Sequence, residues 1–145
     1  MSALSNYAQN KLIDFLLRAQ ALTPPATWYF GLFTSLEGPA GGGTEVSAGG
    51  YARLAVASSL VNFSGTQGSG STAVSTGTSG LTSNNAILMY GSPSANWGTI
   101  VGIGAFDALS GGNLWLYAPL VTSKVVNSGD QPPIFGIAQL SFAIA

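Results

Sequence analysis

The sequence predicts a mainly β protein: an antiparallel β-sandwich or barrel of about seven strands with one N-terminal α-helix. Three observations carry that expectation. Apolar residues recur at helical spacing up to about residue 20, and beyond residue 26 the pattern switches to alternation. The alternating runs are short and are separated by turn-forming stretches, with 20 glycines in the 145 residues. No internal repeat or break in composition divides the chain, and its length suits a single domain spanning 1–145.

The helix is expected over about residues 5–20. Ser5 is a plausible N-cap, and no Gly or Pro follows until Pro24. Ala8, Leu12, Phe15, Leu16 and Ala19 share one face. Asn10, Lys11, Asp14 and Arg18 gather opposite, and Ile13 and Leu17 widen the apolar stripe beyond one packed face. Burying four large apolar side chains is worth on the order of 6–12 kcal/mol gross, so the helix should dock on something. Thr23-Pro24-Pro25 ends the helical region, because proline lacks the N–H and disfavours helix just before it.

The sandwich is expected over about 26–145. Thr27–Phe33 reads as a first strand, with Trp28, Phe30 and Leu32 on one face and Tyr29 and Phe33 on the other. Residues 37–50 are a glycine-rich loop. Tyr51–Ser58 is a second strand, which Leu60–Phe63 extends past a bulge. Residues 64–84 form an excursion in which sixteen of twenty-one residues are Ser, Gly or Thr. Two readings stand for it: a flexible loop, or an extended arm that orders on a partner. Further strands are expected at Asn85–Tyr90, Thr99–Asp107, Asn113–Ala118, Val121–Val126 and Ile134–Ile144. Glycine pairs such as Gly111-Gly112 supply hairpin turns between them.

Charge and chemistry narrow the function. The charged residues are Lys11, Arg18, Arg53 and Lys124 against Asp14, Glu37, Glu45, Asp107 and Asp130. They make up 6% of the chain, where ~25% is usual. The chain contains no His and no Cys, which removes Ser-His-Asp and Cys-His catalysis, thiolate or imidazole metal sites and disulfides. The four scattered basic residues offer no phosphate-binding patch, so no nucleic-acid partner is expected. No apolar run approaches the ~18 residues of a membrane span, and no basic stretch marks a secretory signal. Asp107 and Asp130 sit where turns favour Asp, and no acid pair suggests glycoside hydrolysis. The expectation is a protein that is not an enzyme, with no cofactor and no metal.

Aromatics are the remaining candidates. Trp28 and Trp115 lie in strands and read as core or interface. Trp97 lies in a turn region and is the best candidate for an exposed ring. Low charge and surplus apolar surface suit a subunit held against neighbours. The expected interface residues are Leu12, Phe15 and Leu16 of the helix, with Trp28, Trp97, Val74 and Leu81.

The runs YAQNKLIDFLLRAQALTPPATWYFGLFTS, GTEVSAGGYARLAV, STGTSG with SNNAI after it, ANWGTIVGIGAFDALSGGNLWLYAPL and KVVNSGDQPP keep their order from about Leu4 to Ala138. In these the chain resembles a group of small tailed-bacteriophage virion proteins loosely labelled phage tail fibre proteins. The resemblance implies a virion structural protein, assembled in the bacterial host cytoplasm. The compact size matches a capsid cement (decoration) protein. The expectation is therefore a cement subunit, a homotrimer on the head, with the major capsid protein and its own copies as partners. A tail fibre or tail-tip role is the alternative, and a carbohydrate-binding module is the third reading.

Overall fold

The computed structural model describes residues 2–144. It bears out the mainly β antiparallel fold with one N-terminal helix, built from more and shorter strands than the periodicity suggested. In chain order the elements are β1 (Ala3–Leu4), α1 (Asn6–Leu17), β2 (Thr27–Ser35), β3 (Thr44–Glu45), β4 (Leu54–Ala57), β5 (Leu81–Ser83), β6 (Leu88–Met89), β7 (Gly98–Phe106), β8 (Leu114–Val126), β9 (Ile134–Phe135) and β10 (Ser141–Ala143). A six-stranded sheet runs β1-β8-β7-β2-β3, with β4 also paired to β2. Two ribbons, β5–β10 and β6–β9, stand apart from it.

The core lies between one face of the large sheet and these ribbons. Phe30 and Leu32 of β2, Ile100, Ile103 and Ala105 of β7, and Ala118 and Val126 of β8 meet Leu88 of β6 and Phe142 of β10. Phe30 stacks on Phe142 at 5.7 Å. The short ribbons would be marginal alone, and packing on this apolar face is what holds them.

The opposite face of the sheet is built on glycine. Gly31 of β2 pairs with Gly104 of β7. Their missing side chains leave a flat bed on which Phe33 and Phe106 stack, 6.1 Å apart. A Cβ on Gly104 would sit 3.0 Å from both Phe106 and Leu114 and 3.1 Å from Phe33. The mid-strand glycines thus mark close approach.

Several boundaries differ from the sequence expectation, each for a local reason. The helix ends at Leu17 rather than near 20. Ala19 turns left-handed (φ 55°), and the N–H groups of Arg18 and Gln20 both donate to the Asp14 carbonyl, closing the end. Ser5 caps the start, its hydroxyl accepting from the Ala8 N–H at 3.1 Å. Leu60–Asn62 is a turn and Phe63 a lone bridge to Asn84, not a strand extension, because the Ser59 hydroxyl and carbonyl take the N–H groups of Asn62 and Phe63. The strands expected at 113–118 and 121–126 are one strand, β8. Its ladder with β7 slips in the middle: Gly102 pairs Pro119, but Ile100 pairs Lys124. Residues 120–123 therefore form a bulge directly after Pro119.

The expected strand Ile134–Ile144 breaks into β9 and β10 because the side chain of Asn84 replaces part of its ladder. Asn84 is fully buried; its Nδ2 donates to the carbonyls of Ala86 and Gly136, and its Oδ1 accepts from the Leu140 N–H. The excursion at 64–84 is neither a free loop nor an extended arm. It closes on itself through Ser64 and Ser83, whose hydroxyls are 3.1 Å apart. Bonds such as Gly77 N–H to Thr66 Oγ1 and Gln67 Nε2 to the Val74 carbonyl tie its interior.

Gly31→Ala tests the glycine bed. Its Cβ would lie 2.8 Å from Glu45 Oε1, an atom already held by two donors. The expected loss is about 1–3 kcal/mol, read as a lower urea midpoint at unchanged slope.

Candidate functional site

The buried ion pair crowns the glycine bed. Glu45 of β3 receives Arg53 in a fork: Nε to Oε1 and Nη2 to Oε2, each at 2.8 Å. Arg53 Nη1 also donates to the carbonyls of Ala108 and Gly111, both at 2.8 Å. Its guanidinium lies 3.5 Å above the Phe106 ring. The Arg53 side chain is only 7% exposed. The Tyr51 hydroxyl donates to Glu45 Oε1 and accepts from the Leu32 N–H. Burial, with that bond to Glu45, pushes the Tyr51 phenol well above its usual range. Burial does the same to Tyr90, whose hydroxyl donates to the Phe30 carbonyl. All of this fixes geometry; every donor of Arg53 in it faces its own chain.

The other acids are occupied in loops. Glu37 Oε2 accepts from the Gly43 N–H, and Asp130 Oδ2 from the Asn127 N–H. Asp14 pairs with Arg18 on the helix surface. Among the described residues no group of three Asp or Glu side chains converges to hold a metal ion, and no helix is long and apolar enough to cross a membrane.

Asp107 has a different setting. It lies at the end of β7, beside Tyr7 of α1, Tyr29 of β2 and Trp115 of β8, around an open depression of about 500 Å³. Its Oδ1 accepts from the Asn113 N–H at 2.7 Å, and its Oδ2 from Asn113 Nδ2 and Trp115 Nε1. Partial burial raises this carboxyl, but the hydrogen bonds from Asn113 and Trp115 outweigh burial and leave it below the ordinary range. Trp115 meets Tyr7 edge-to-face at 5.2 Å and Trp28 at 5.7 Å.

The residues singled out from the sequence do not form one site. Trp97 is a correction: it is 4% exposed, and its Nε1 donates to the Gly49 carbonyl at 2.9 Å. The turn that carries it folds under the core, so the ring is structural and offers no exposed stacking face. Trp28 is half-buried between β4 and Trp115. Leu12 is half-buried, while Phe15 and Leu16 project to solvent with Ile13 and Leu17. Only the first turns of α1 dock, through Ala8 and the Tyr7–Trp115 contact. Val74 is exposed on the closed excursion, and Leu81 on β5. A second apolar surface lies on the β6–β9 ribbon, where Met89 pairs Ile134 and both face out. An open groove of about 520 Å³ runs between β8 and this ribbon, lined by Ile100, Val126, Phe135 and Leu140 among others.

The family of podophage GP4 fiber I protein gp80 matches the chain over residues 3–143. The chain belongs to that family. It is thus a phage virion structural protein, consistent with a β-rich fold whose charged groups serve its own architecture. No curated protein matches it.

Sequence reasoning missed the pairing of Glu45 with Arg53 and the grouping around Asp107. The available signal for the first was scarcity: two of nine charges fall eight residues apart beside a glycine-rich loop. Nothing in the spacing places Tyr7 near Asp107, since 100 residues separate them.

Arg53→Met keeps the stem and removes the guanidinium, leaving Glu45 and two carbonyls without their donor. The expected loss is about 2–4 kcal/mol. The double variant with Glu45→Met should recover part of it in a mutant cycle. The lowered Asp107 carboxyl predicts a pH dependence. Its contribution is complete above the unfolded value of 3.8 and is lost as pH falls through the lower folded value. Thermal midpoints recorded downward from about pH 5 should fall less steeply for Asp107→Asn than for wild type.

Proposed function

We propose that the chain is a self-associating fibre subunit of the virion, and that helix α1 supplies its subunit contact. One observation carries this reading: the last turn of α1 is left largely uncovered by the described residues. Leu16 is 69% exposed and Leu17 81%. At about 100° per residue, Phe15, Leu12, Leu16, Ile13 and Leu17 sweep roughly 200° of the helix circumference. One neighbour covers a narrower stripe, whereas a helix flanked by two neighbours needs apolar surface on both sides. A three-fold arrangement fits that arc. The family description supports a fibre location.

The capsid cement reading stands second. It rests on the compact fold of 145 residues without a repeated shaft. In either location, the partner surface must accept apolar and backbone contacts, since two of the four cations are already paired within the chain. A binding role without catalysis fits both.

Sedimentation equilibrium at micromolar concentration should give the mass of three chains. Leu16→Glu with Leu17→Glu should weaken association at least tenfold, about 1.4 kcal/mol. A clean monomer mass for the wild type in ordinary salt overturns self-association. Density for this fold in a cryo-electron map of the virion, at the tail or on the head, decides between fibre and cement.

A further inference from the structure

The depression at the end of β7 combines three features. First, its walls are aromatic: Tyr7, Tyr29 and Trp115 all line it, with Pro24 and Pro25 on the remaining side. Second, Tyr7 and Trp115 meet at 80°, so they form a corner rather than a flat platform. Third, the Asp107 carboxylate sits in that corner without a counter-charge. Among the described residues the ion pairs are Asp14–Arg18 and Glu45–Arg53, and neither involves Asp107.

Each feature selects against a common ligand class and toward one other. A sugar ring stacks best on one open, flat aromatic face, which a perpendicular pair does not offer. An anion is repelled by Asp107. A neutral apolar group would bury the carboxylate further without supplying a counter-charge. A bulky organic cation satisfies all three: its apolar surface packs into the corner, its charge meets the ring faces, and the carboxylate supplies the counter-ion. The Lys11 ammonium lies 5.6 Å from the Tyr7 centroid, so a bound cation competes with it for that ring and relies on Trp115, Tyr29 and the Asp107 carboxylate as well.

We infer that the corner formed by Tyr7, Tyr29, Trp115 and Asp107 binds a quaternary ammonium group of the choline type. Such a group reaches the protein either on a lipid headgroup or on a soluble or polymer-borne choline. The inference is independent of where in the virion the chain sits. It would survive relocation from fibre to head, and its failure would leave the fibre reading untouched.

The test is a titration of the full-length protein with choline chloride, followed by the Trp115 indole N–H resonance. Sodium chloride at equal ionic strength and the uncharged isostere 3,3-dimethylbutan-1-ol serve as controls. A saturable shift is expected with a Kd on the order of 1 mM or tighter. Asp107→Asn should weaken binding about tenfold, and Tyr7→Leu about threefold or more. Tyr7→Leu leaves the Asp107–Asn113 loop bonds in place, so it tests the site even if Asp107→Asn fails to fold. Sedimentation with phosphatidylcholine vesicles, against phosphatidylglycerol vesicles, distinguishes the sources: co-sedimentation assigns the lipid headgroup, and choline binding without it assigns a soluble or polymer-borne group. The inference is overturned if choline produces no saturable shift or if the uncharged isostere binds equally. It is also overturned if a neutral hexose binds where choline does not, or if both variants bind choline like wild type.

Discussion

Everything on the outer face of the large sheet depends on the absence of two side chains. Gly31 and Gly104 lie opposite one another, and the vacated volume lets Phe33 and Phe106 lie flat on the backbone. Only then does the Arg53 guanidinium reach its seat over Phe106 and fork onto Glu45. From there it holds the 108–111 hairpin by two carbonyls, while Glu45 holds Tyr51 and, through it, the Leu32 N–H. One charged pair therefore joins β2, β3, the segment before β4 and the β7–β8 turn. Its desolvation is offset by good geometry and by the use of four of the five guanidinium N–H donors.

That economy shapes the surface. Four of nine charges are consumed in two intrachain pairs, and the remainder are scattered. What faces solvent instead includes apolar side chain on the free half of α1 and on the outer side of the β6–β9 ribbon, besides scattered residues such as Val61 and Val121. A two-residue ribbon that is apolar on both faces, with Leu88 inward and Met89 outward, has the pattern of a strand covered on both sides. A subunit packed among neighbours can tolerate such a surface; a freely diffusing protein of this charge would be prone to associate.

The sequence made the large elements legible and the small ones illegible. The α1 stripe, β2 and β7 carry sustained periodicity, and their expected positions match the structure within a few residues. Asn113–Ala118 and Val121–Val126 read as two strands because Pro119 interrupts the pattern; the backbone runs through by bulging. The break between β9 and β10 was invisible because Asn84, fifty residues upstream, causes it through its side chain. Composition alone made 64–84 look unstructured, since hydroxyl groups bonding local backbone leave no hydrophobic signature. Trp97 was misplaced for a related reason: a turn in sequence need not lie at the surface when its ring has a buried carbonyl to bond. The Asp107 corner unites residues from α1, β2, β7 and β8, so no local motif announces it.

The order of synthesis gives the N-terminal segment an unusual history. Ser5 is fixed by the Leu114 carbonyl, 109 residues later in the chain, and Ser2 by Ala143, 141 residues later. At a translation rate of ~5–20 residues per second, the helix emerges about 5–20 s before the strand that seats it exists. During that interval its whole apolar circumference is uncovered. Polysomes bring several such helices close together while their apolar faces are still bare.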